Sequence, residues 1–322
     1  MATRNEPVRP AGAVILDRTL DLRAPEDVAA ADVEVALESL GQWQLAWRRF
    51  KRHRMALFGL GVFGFMIAVA IVGPIVDLYD PLVIPGATIP GGESPSLAHL
   101  FGTDDNGRDV LTMVINGSRI SVAIGVSSML IAGFVGVVVG AVAGYVGGWV
   151  DNLLMRVVDT FFAIPFLFVI LVAARFFGQG QVMSLVLIFG LLSWPIIARL
   201  VRAQFLSLRE ADFVEAARAV GVSGTRITFR HILPNALGPV IVAMTLLMAS
   251  NIVLEAFVSY LNFGISPDQT SWGNALANAQ NSLVLGNWWW AFFPGMAIAL
   301  TVIAINFIGD GLRDALDPRT RL

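Results

Sequence analysis

The most constraining feature of this sequence is a long stretch without Asp, Glu, Lys or Arg, which extends from Arg119 to Asp151. An α-helix that crosses a bilayer needs roughly 20 mostly apolar residues, and a charged side chain at its centre costs about 2.5–3.5 kcal/mol. The whole chain is 56% hydrophobic and 14% charged. That is too little charge to cover a soluble protein of this size. The sequence therefore predicts an all-α membrane protein.

The same criterion, applied along the chain, predicts six transmembrane helices. They cover about 55–78, 120–146, 157–177, 176–198, 236–260 and 288–309. We therefore expect a six-helix transmembrane domain over residues 55–310, with a polar segment, 1–54, before it and a tail, 311–322, after it. The acidic, Ala-rich part of the first segment allows either a surface amphipathic helix or disorder.

The distribution of positive charge predicts the orientation, because Lys and Arg collect on the cytoplasmic side. With both termini inside, nineteen of the 22 Lys and Arg residues lie on that side, and only Arg108, Arg119 and Arg175 do not. We therefore expect cytoplasmic termini, an external segment over 79–118 and a cytoplasmic loop over 205–235.

Tryptophan and glycine positions fit this arrangement. Trp43 and Trp47 are expected at the inner membrane boundary, and the triplet 288–290 at the outer one, because indole rings favour the interface. In the second predicted span, small residues recur at spacings of three and four and so share one helix face. They are Gly133, Gly136, Gly140 and Gly144. Such a face predicts close packing of helices.

Several kinds of chemistry have no candidate residues in this sequence. Its one lysine, Lys51, follows no Gly-rich loop, so the chain has no phosphate-binding loop for ATP. His53, His99 and His231 are far apart, and there is no cysteine, so no metal or cofactor site is expected. No nucleophile motif indicates an enzyme, and the net charge of −2 gives no reason to expect nucleic acid. Energy for uphill transport would come from a partner or from an ion gradient.

The cytoplasmic loop has an ordered pattern that a plain connection does not need. Phe213, Ala217 and Val220 share one face of a predicted amphipathic helix. Gly221 is expected to end that helix in the left-handed conformation. We expect Ser223 to cap a second short helix, and Pro234 to begin the next element.

The residues of this loop resemble the EAA loop of binding-protein-dependent ABC importers. The similarity lies in EAARAVG over 215–221, in Ile227 and in LPN over 233–235. In that family the loop docks on the ATPase subunit. The resemblance therefore implies that an ATPase-docking element is formed by Glu215, Ala216, Ala217, Gly221, Ile227, Leu233 and Pro234.

Three further stretches, 101–125, 271–279 and 306–319, look like the second permease subunit of the dipeptide/oligopeptide/nickel class. That resemblance implies a type I ABC importer transmembrane domain in the prokaryotic inner membrane. It implies a second permease subunit, two ATPase subunits carrying ATP and Mg, and an extracytoplasmic binding protein. Peptides are the expected solute, with nickel chelates, opines or oligosaccharides as alternatives. The sequence departs from the family pattern at Asn262, where glycine is expected, and at SPDQTSWG over 266–273.

The remaining ionisable groups leave alternatives open. Glu255, with Asn251 one turn before it, lies deep in the fifth predicted span, where an acid is a functional candidate by default. It could serve a structural or gating hydrogen bond, contact the pathway, or couple protons in an ion-driven carrier or channel that acts alone. Asp159 and Arg156 are expected to pair locally or to contact the coupling element. The external charges at 104–109 could contact a binding protein or hold a folded loop together.

Overall fold

The computed structural model describes residues 42–76, 92–177, 180–266 and 269–317. The predictions for the first 41 residues, for much of the external segment and for the end of the tail lie outside these ranges. The described residues form helices α1 Gln42–Phe50, α2 Arg54–Val76, α3 Val110–Val146, α4 Gly148–Ala163, α5 Phe166–Phe176, α6 Val182–Arg209, α7 Asp212–Ala219, α8 Gly224–Ile227, α9 Leu233–Tyr260, α10 Trp272–Asn278, α11 Gln280–Val284 and α12 Trp289–Leu316. One π-helical segment, Thr228–Ile232, joins α8 to α9.

Five helical segments of the described chain are long and apolar enough to cross a membrane. They are α2, α3, α6, α12 and the continuous helix from Gly224 to Tyr260. The third predicted span is the exception, because it consists of α4 and α5, which meet at an angle of 86°. The count is therefore five spans, or six if the bent pair crosses as one unit.

The bend between α4 and α5 corrects the expectation of one straight helix over 157–177. Ile164 has extended backbone angles, φ −98° and ψ 137°, and Pro165 follows it with φ −59°. Proline has no N–H to donate, and its ring disfavours the helical conformation of the residue before it. A helix cannot continue through Ile164, so the chain turns there.

The predicted glycine face packs against a neighbouring helix, as expected from its spacing. A Cβ atom on Gly136 would lie 2.6 Å from Cβ of Ile197, and one on Gly144 would lie 2.5 Å from Cβ of Phe205. At Gly140 it would collide with the carbonyl oxygen of Ala198. These glycines let α3 and α6 approach until backbone and Cβ atoms touch. Gly133, one turn earlier, faces Met244 of α9 instead.

The segment before α3, over residues 92–109, is held together by its own charges. Asp104 accepts from the backbone N–H groups of Asn106 and Arg108 and from Arg108 Nε, the last at 2.6 Å. Asp109 caps α3 by accepting from Thr112 N at 2.8 Å, and its other oxygen lies 2.9 Å from His99 Nδ1. Both carboxylates are buried. This part of the chain is therefore a folded unit.

Two indoles of the tryptophan triplet at the start of α12 are buried. Trp288 is exposed, but Trp289 and Trp290 are buried. Their indole N–H groups both donate to the carbonyl oxygen of Thr103 in the segment before α3, with a length of 3.2 Å for Trp289. Two of the three indoles thus hold that segment on α12. A buried indole needs such an acceptor, which the sequence pattern alone did not identify.

Candidate functional site

The loop after α6 forms the compact helix–turn–helix that its sequence predicts. α7 ends at Ala219, and Gly221, two residues on, has a φ of +79° in the left-handed region. Gly221 N–H donates to Arg218 O at 2.9 Å, and Val222 N–H donates back to Ala217 O at 3.0 Å. This pair of reversed hydrogen bonds satisfies the last carbonyls of α7. Glycine is the residue that takes this conformation without strain.

One side of the loop is fixed to the spans. Val214 and Ile227 are buried in the main hydrophobic cluster, where Ile232 and helix residues of α6 and α9 surround them. Ala217 packs against the same cluster from a half-buried position. The loop is therefore coupled to the end of α6 before it and to the start of α9 after it.

The other side of the loop is open and partly apolar. Glu215, Ala216 and Gly221 are exposed. Val220 is 80% exposed and Phe229 is 67% exposed. An exposed apolar surface on a rigid element is typical of a site that contacts another protein.

The seven predicted docking residues are therefore divided between the two sides. Ile227 is buried in the cluster of the chain itself, and Leu233 and Pro234 are half-buried at the start of α9. One detail of the prediction is wrong, because the Ser223 side chain makes no capping hydrogen bond. Pro234 lies in the first turn of α9, as predicted, although the π-helical segment before it runs into α9 without a break.

The apolar face predicted for α7 is not the face that packs against the transmembrane helices. Phe213 and Val220, which were expected to share that face with Ala217, are both exposed, whereas Val214 is fully buried. Periodicity identifies an amphipathic helix but not which of its sides another subunit covers. The exposed Phe213 and Val220 are the residues that the sequence assignment of the docking element missed.

Ion pairs connect α4 and α6 beside the loop. Arg202 of α6 makes a bidentate ion pair with Asp151 of α4. Its Nε donates to Oδ1, and its Nη2 donates to Oδ2 at 2.6 Å. Asp159 pairs with Arg199 at 2.7 Å. The expected local pair between Asp159 and Arg156 is therefore wrong, because the approach of α6 brings a nearer guanidinium to the carboxylate.

Glu255 lies in a second candidate site, at the other end of α9. Its side chain is fully buried. Oε2 accepts from the Ser121 hydroxyl of α3 at 2.8 Å, and Oε1 accepts from the Ser259 hydroxyl at 2.9 Å. Ser271 is a further hydrogen-bond neighbour of the carboxylate. A buried acid surrounded by donors in this way is satisfied by hydrogen bonds.

Ser121 and Ser259 also link the carboxylate to the segment after α9, because each hydroxyl oxygen accepts a backbone hydrogen bond from it. Ser121 Oγ accepts from the backbone N–H of Trp272, and Ser259 Oγ accepts from that of Ile265, both at 3.3 Å. Ile265 lies within the connection between α9 and α10, and Trp272 is the first residue of α10. Glu255 therefore holds this part of the chain at two points, each through one hydroxyl.

Asn251 makes a separate link between α9 and α3. Its Nδ2 donates to Ser128 Oγ at 2.8 Å, and that hydroxyl donates to Ile124 O at 2.6 Å. Asn251 and Ser128 are both buried. Since Asn251 and Glu255 are both enclosed by protein, neither lines an open cavity of this chain.

Asn262 explains one departure from the family pattern. Its φ is +62°, the one positive value among the non-glycine residues that the structure describes. Asparagine is among the few residues that take the left-handed conformation, so it can replace glycine here. The change leaves the turn after α9 intact.

Among the described residues, no three His, Cys, Asp or Glu side chains are grouped to hold a metal ion. The arrangement is instead that of a helical membrane protein with a rigid, exposed loop on one side and a buried polar junction on the other. This combination defines a membrane-embedded transport subunit.

Comparison with known proteins identifies the family. The model of the family described as "binding-protein-dependent transport system inner membrane component" matches residues 136–322. A second model, the N-terminal transmembrane domain of oligopeptide transport permease C, matches residues 41–87. The chain belongs to the family of binding-protein-dependent transport system inner membrane components. It is a multi-pass permease subunit of an ATP-binding-cassette importer in the bacterial inner membrane, and it is not an enzyme.

Curated relatives align along most of the chain. It is 40% identical over 285 residues to a putative peptide permease protein of Brucella suis biovar 1, covering 88% of this chain and 93% of the relative. It is 39% identical over 288 residues to the oligopeptide transport system permease protein OppC of Escherichia coli K12, covering 89% and 95%. The dipeptide transport system permease protein DppC of Bacillus subtilis is 37% identical over 283 residues, covering 88% of each.

Proposed function

We propose that this chain carries di- or oligopeptides across the inner membrane as one half of a translocation pathway. The observation that carries the proposal is similarity of 37–40% identity over 88–89% of the chain to permeases whose names specify dipeptides, oligopeptides or peptides. The match to the family model, over 136–322, includes the loop after α6 and Glu255. Nickel chelates, opines and oligosaccharides are the alternative solutes within the same importer class.

The chain acts, in this proposal, with a second permease subunit, two ATPase subunits and a binding protein outside the membrane. ATP and Mg bind to the ATPase subunits. Both termini are cytoplasmic, and the bent pair α4–α5 crosses the membrane as one of six spans. The asymmetry of Lys and Arg supports this orientation, and so does the position of the exposed loop on the side where α2 begins with Arg54.

The loop surface of Glu215, Ala216, Gly221, Phe213 and Val220 docks on an ATPase subunit. Ala217, Ile227, Leu233 and Pro234 support it from the side of the spans. The fixed attachment of Val214 and Ile227 favours this role, because a displacement of the loop by the ATPase must move α6 and α9 with it. Domain rocking of this kind converts nucleotide-driven closure into a change of access.

The junction around Glu255 and Asn251 has a gating role in the same proposal. Through Ser121 and Ser259, Glu255 joins α3, α9 and the connection to α10. This external part of the chain thus moves with α9, whose other end continues into the docking loop. The full burial of Glu255 disfavours the alternative in which it carries protons for an ion-coupled carrier or channel.

Reconstitution in vesicles tests the proposal. The chain, its partner permease, the ATPase subunits and the binding protein should import a labelled oligopeptide when ATP is present on the ATPase side. Uptake should need ATP and should not respond to a collapsed proton gradient. Glu215→Arg should abolish uptake, whereas the same charge reversal at the exposed Glu210, before α7, should retain most of it.

Two results would oppose the proposal. Peptide uptake without any ATPase would support the ion-coupled alternative. ATP-dependent uptake of a nickel chelate, an opine or an oligosaccharide, but not of peptides, would retain the importer and change its solute.

A further inference from the structure

Helix α1 is attached to the rest of the protein by one side. Ala46 and Phe50, one turn apart, are buried with Ala56 and Ala315 in a small hydrophobic cluster. Arg49 Nη1 donates to the carbonyl oxygen of Asp317, just beyond α12, at 2.9 Å. The chain therefore holds α1 firmly and itself covers this side of the helix.

The adjacent side of α1 presents two tryptophans to the surroundings. Trp43 and Trp47, also one turn apart, are 48% and 52% exposed. The Trp47 ring stacks on Phe50 with centroids 5.8 Å apart, and the Lys51 ammonium lies 5.1 Å from the Trp47 ring centroid. These contacts fix the Trp47 indole in its exposed position.

A cluster of cations follows the tryptophans around the helix. Arg48, Lys51, Arg52 and Arg54 are all exposed. None of them has an acidic partner within the described residues. In helical register, the tryptophan stripe lies between the buried stripe of Ala46 and Phe50 and the side of Arg48. Lys51 and Arg52 follow in the turn directly after α1.

The position of α1 relative to the first span places this side at a bilayer surface. The candidate span begins at Arg54, only a few residues after α1 ends at Phe50. An amphipathic helix with indoles beside a basic face is suited to the boundary between lipid headgroups and acyl chains. Cations near that surface are attracted to anionic lipid headgroups.

We propose that α1 is a binding surface for anionic phospholipid. The phosphate groups bind Arg48, Lys51 and Arg52, while the indoles of Trp43 and Trp47 lie among the upper acyl chains. The identification of this leaflet as the cytoplasmic one rests on the proposed orientation, but the binding itself does not. Because α1 is fastened to the end of α12, bound lipid stabilises the folded chain.

Thermal unfolding of the full chain in an uncharged detergent tests this binding. Phosphatidylglycerol and phosphatidylcholine with identical acyl chains are added to parallel samples. Phosphatidylglycerol should raise the unfolding midpoint by roughly 3 °C or more and saturate, and phosphatidylcholine should raise it less. The double variant Arg48→Gln/Arg52→Gln should lose the difference between the lipids. Native mass spectrometry should show the same loss of retained phosphatidylglycerol.

A matched control removes two cations from other helices, one in the middle of α4 and one at the end of α6. Arg156→Gln/Arg209→Gln changes the net charge equally and should keep the preference for phosphatidylglycerol. Equal responses of the unmodified chain to the two lipids would overturn the proposal and would indicate that another subunit covers the tryptophans. A full preference in Arg48→Gln/Arg52→Gln would also overturn it, because the lipid would then bind elsewhere. Neither outcome bears on peptide transport.

Discussion

The Ser121 hydroxyl of α3 donates a hydrogen bond of 2.8 Å to Oε2 of Glu255 on α9, although 134 positions separate the two residues. The same hydroxyl oxygen accepts from Trp272 N–H, at the start of α10. Three elements that are distant in the sequence therefore meet at one buried carboxylate. This junction lies at the end of α9 opposite to the docking loop.

Removal of the carboxylate should destabilise the protein. Glu255→Ala leaves the Ser121 and Ser259 hydroxyls without their acceptor, and each unpaired buried group costs about 1–3 kcal/mol. Glu255→Gln keeps the volume and one acceptor oxygen, so it should lower the unfolding midpoint by less. Thermal unfolding in detergent measures both, with Glu210→Ala as an exposed control that changes stability by about 0.5 kcal/mol or less. Two Glu255 variants as stable as the unmodified chain would disprove the importance of this junction.

Loss of one serine should loosen the external connection without removing the acid. Ser259→Ala deletes both the bond to Glu255 Oε1 and the acceptor of Ile265 N–H. Amide hydrogen exchange should then become faster around Ile265 and Trp272. Ser250 lies on the same helix but is exposed and bonds only locally, to Leu246 O, so Ser250→Ala should leave that exchange unchanged. Equal exchange around Ile265 and Trp272 in the two variants would contradict the proposed role of Ser259 in holding this part of the chain.

The glycine contact between α3 and α6 gives a further prediction. Gly140→Val places a branched side chain against Ala198 O and Val201, so overpacking should cost about 1–3 kcal/mol. Gly64 in α2 has open space around its Cβ position, and Gly64→Val is the matched control. The comparison needs only the unfolding midpoints. A Gly140→Val protein as stable as Gly64→Val would show that the two helices do not pack closely.

How much was predictable differs between these elements. Uncharged length predicted the spans, and the spacing of Gly136, Gly140 and Gly144 predicted a packed face, because both are properties of local sequence. The bend at Pro165 is also a property of local sequence. The criterion of uncharged length does not detect it, because the hydrophobic stretch continues through the bend and its length carries no information on helix direction. The hydrogen-bond donors to Glu255 could not all be predicted, because Ser121 becomes a neighbour of Glu255 only through the packing of α3 on α9.

The docking loop was also only partly predictable from sequence. Sequence indicated that a left-handed Gly221 terminates the helix, and the structure confirms it. The sequence could not indicate that Val214, and not Phe213, packs against the transmembrane helices. An amphipathic helix between two protein surfaces has apolar residues on both sides. The assignment of the open side to an ATPase is the central proposal.

Single-cysteine cross-linking tests that assignment most directly, since the chain contains no cysteine of its own. Ala216→Cys lies on the exposed side of α7, and Asn152→Cys lies exposed on α4 at the same end of the spans. With a short photoactivatable reagent in the assembled importer, Ala216→Cys should form an adduct with the ATPase subunit, and ATP binding should change its yield. Asn152→Cys should form little or none. An ATPase adduct from Asn152→Cys but not from Ala216→Cys would contradict docking through this loop.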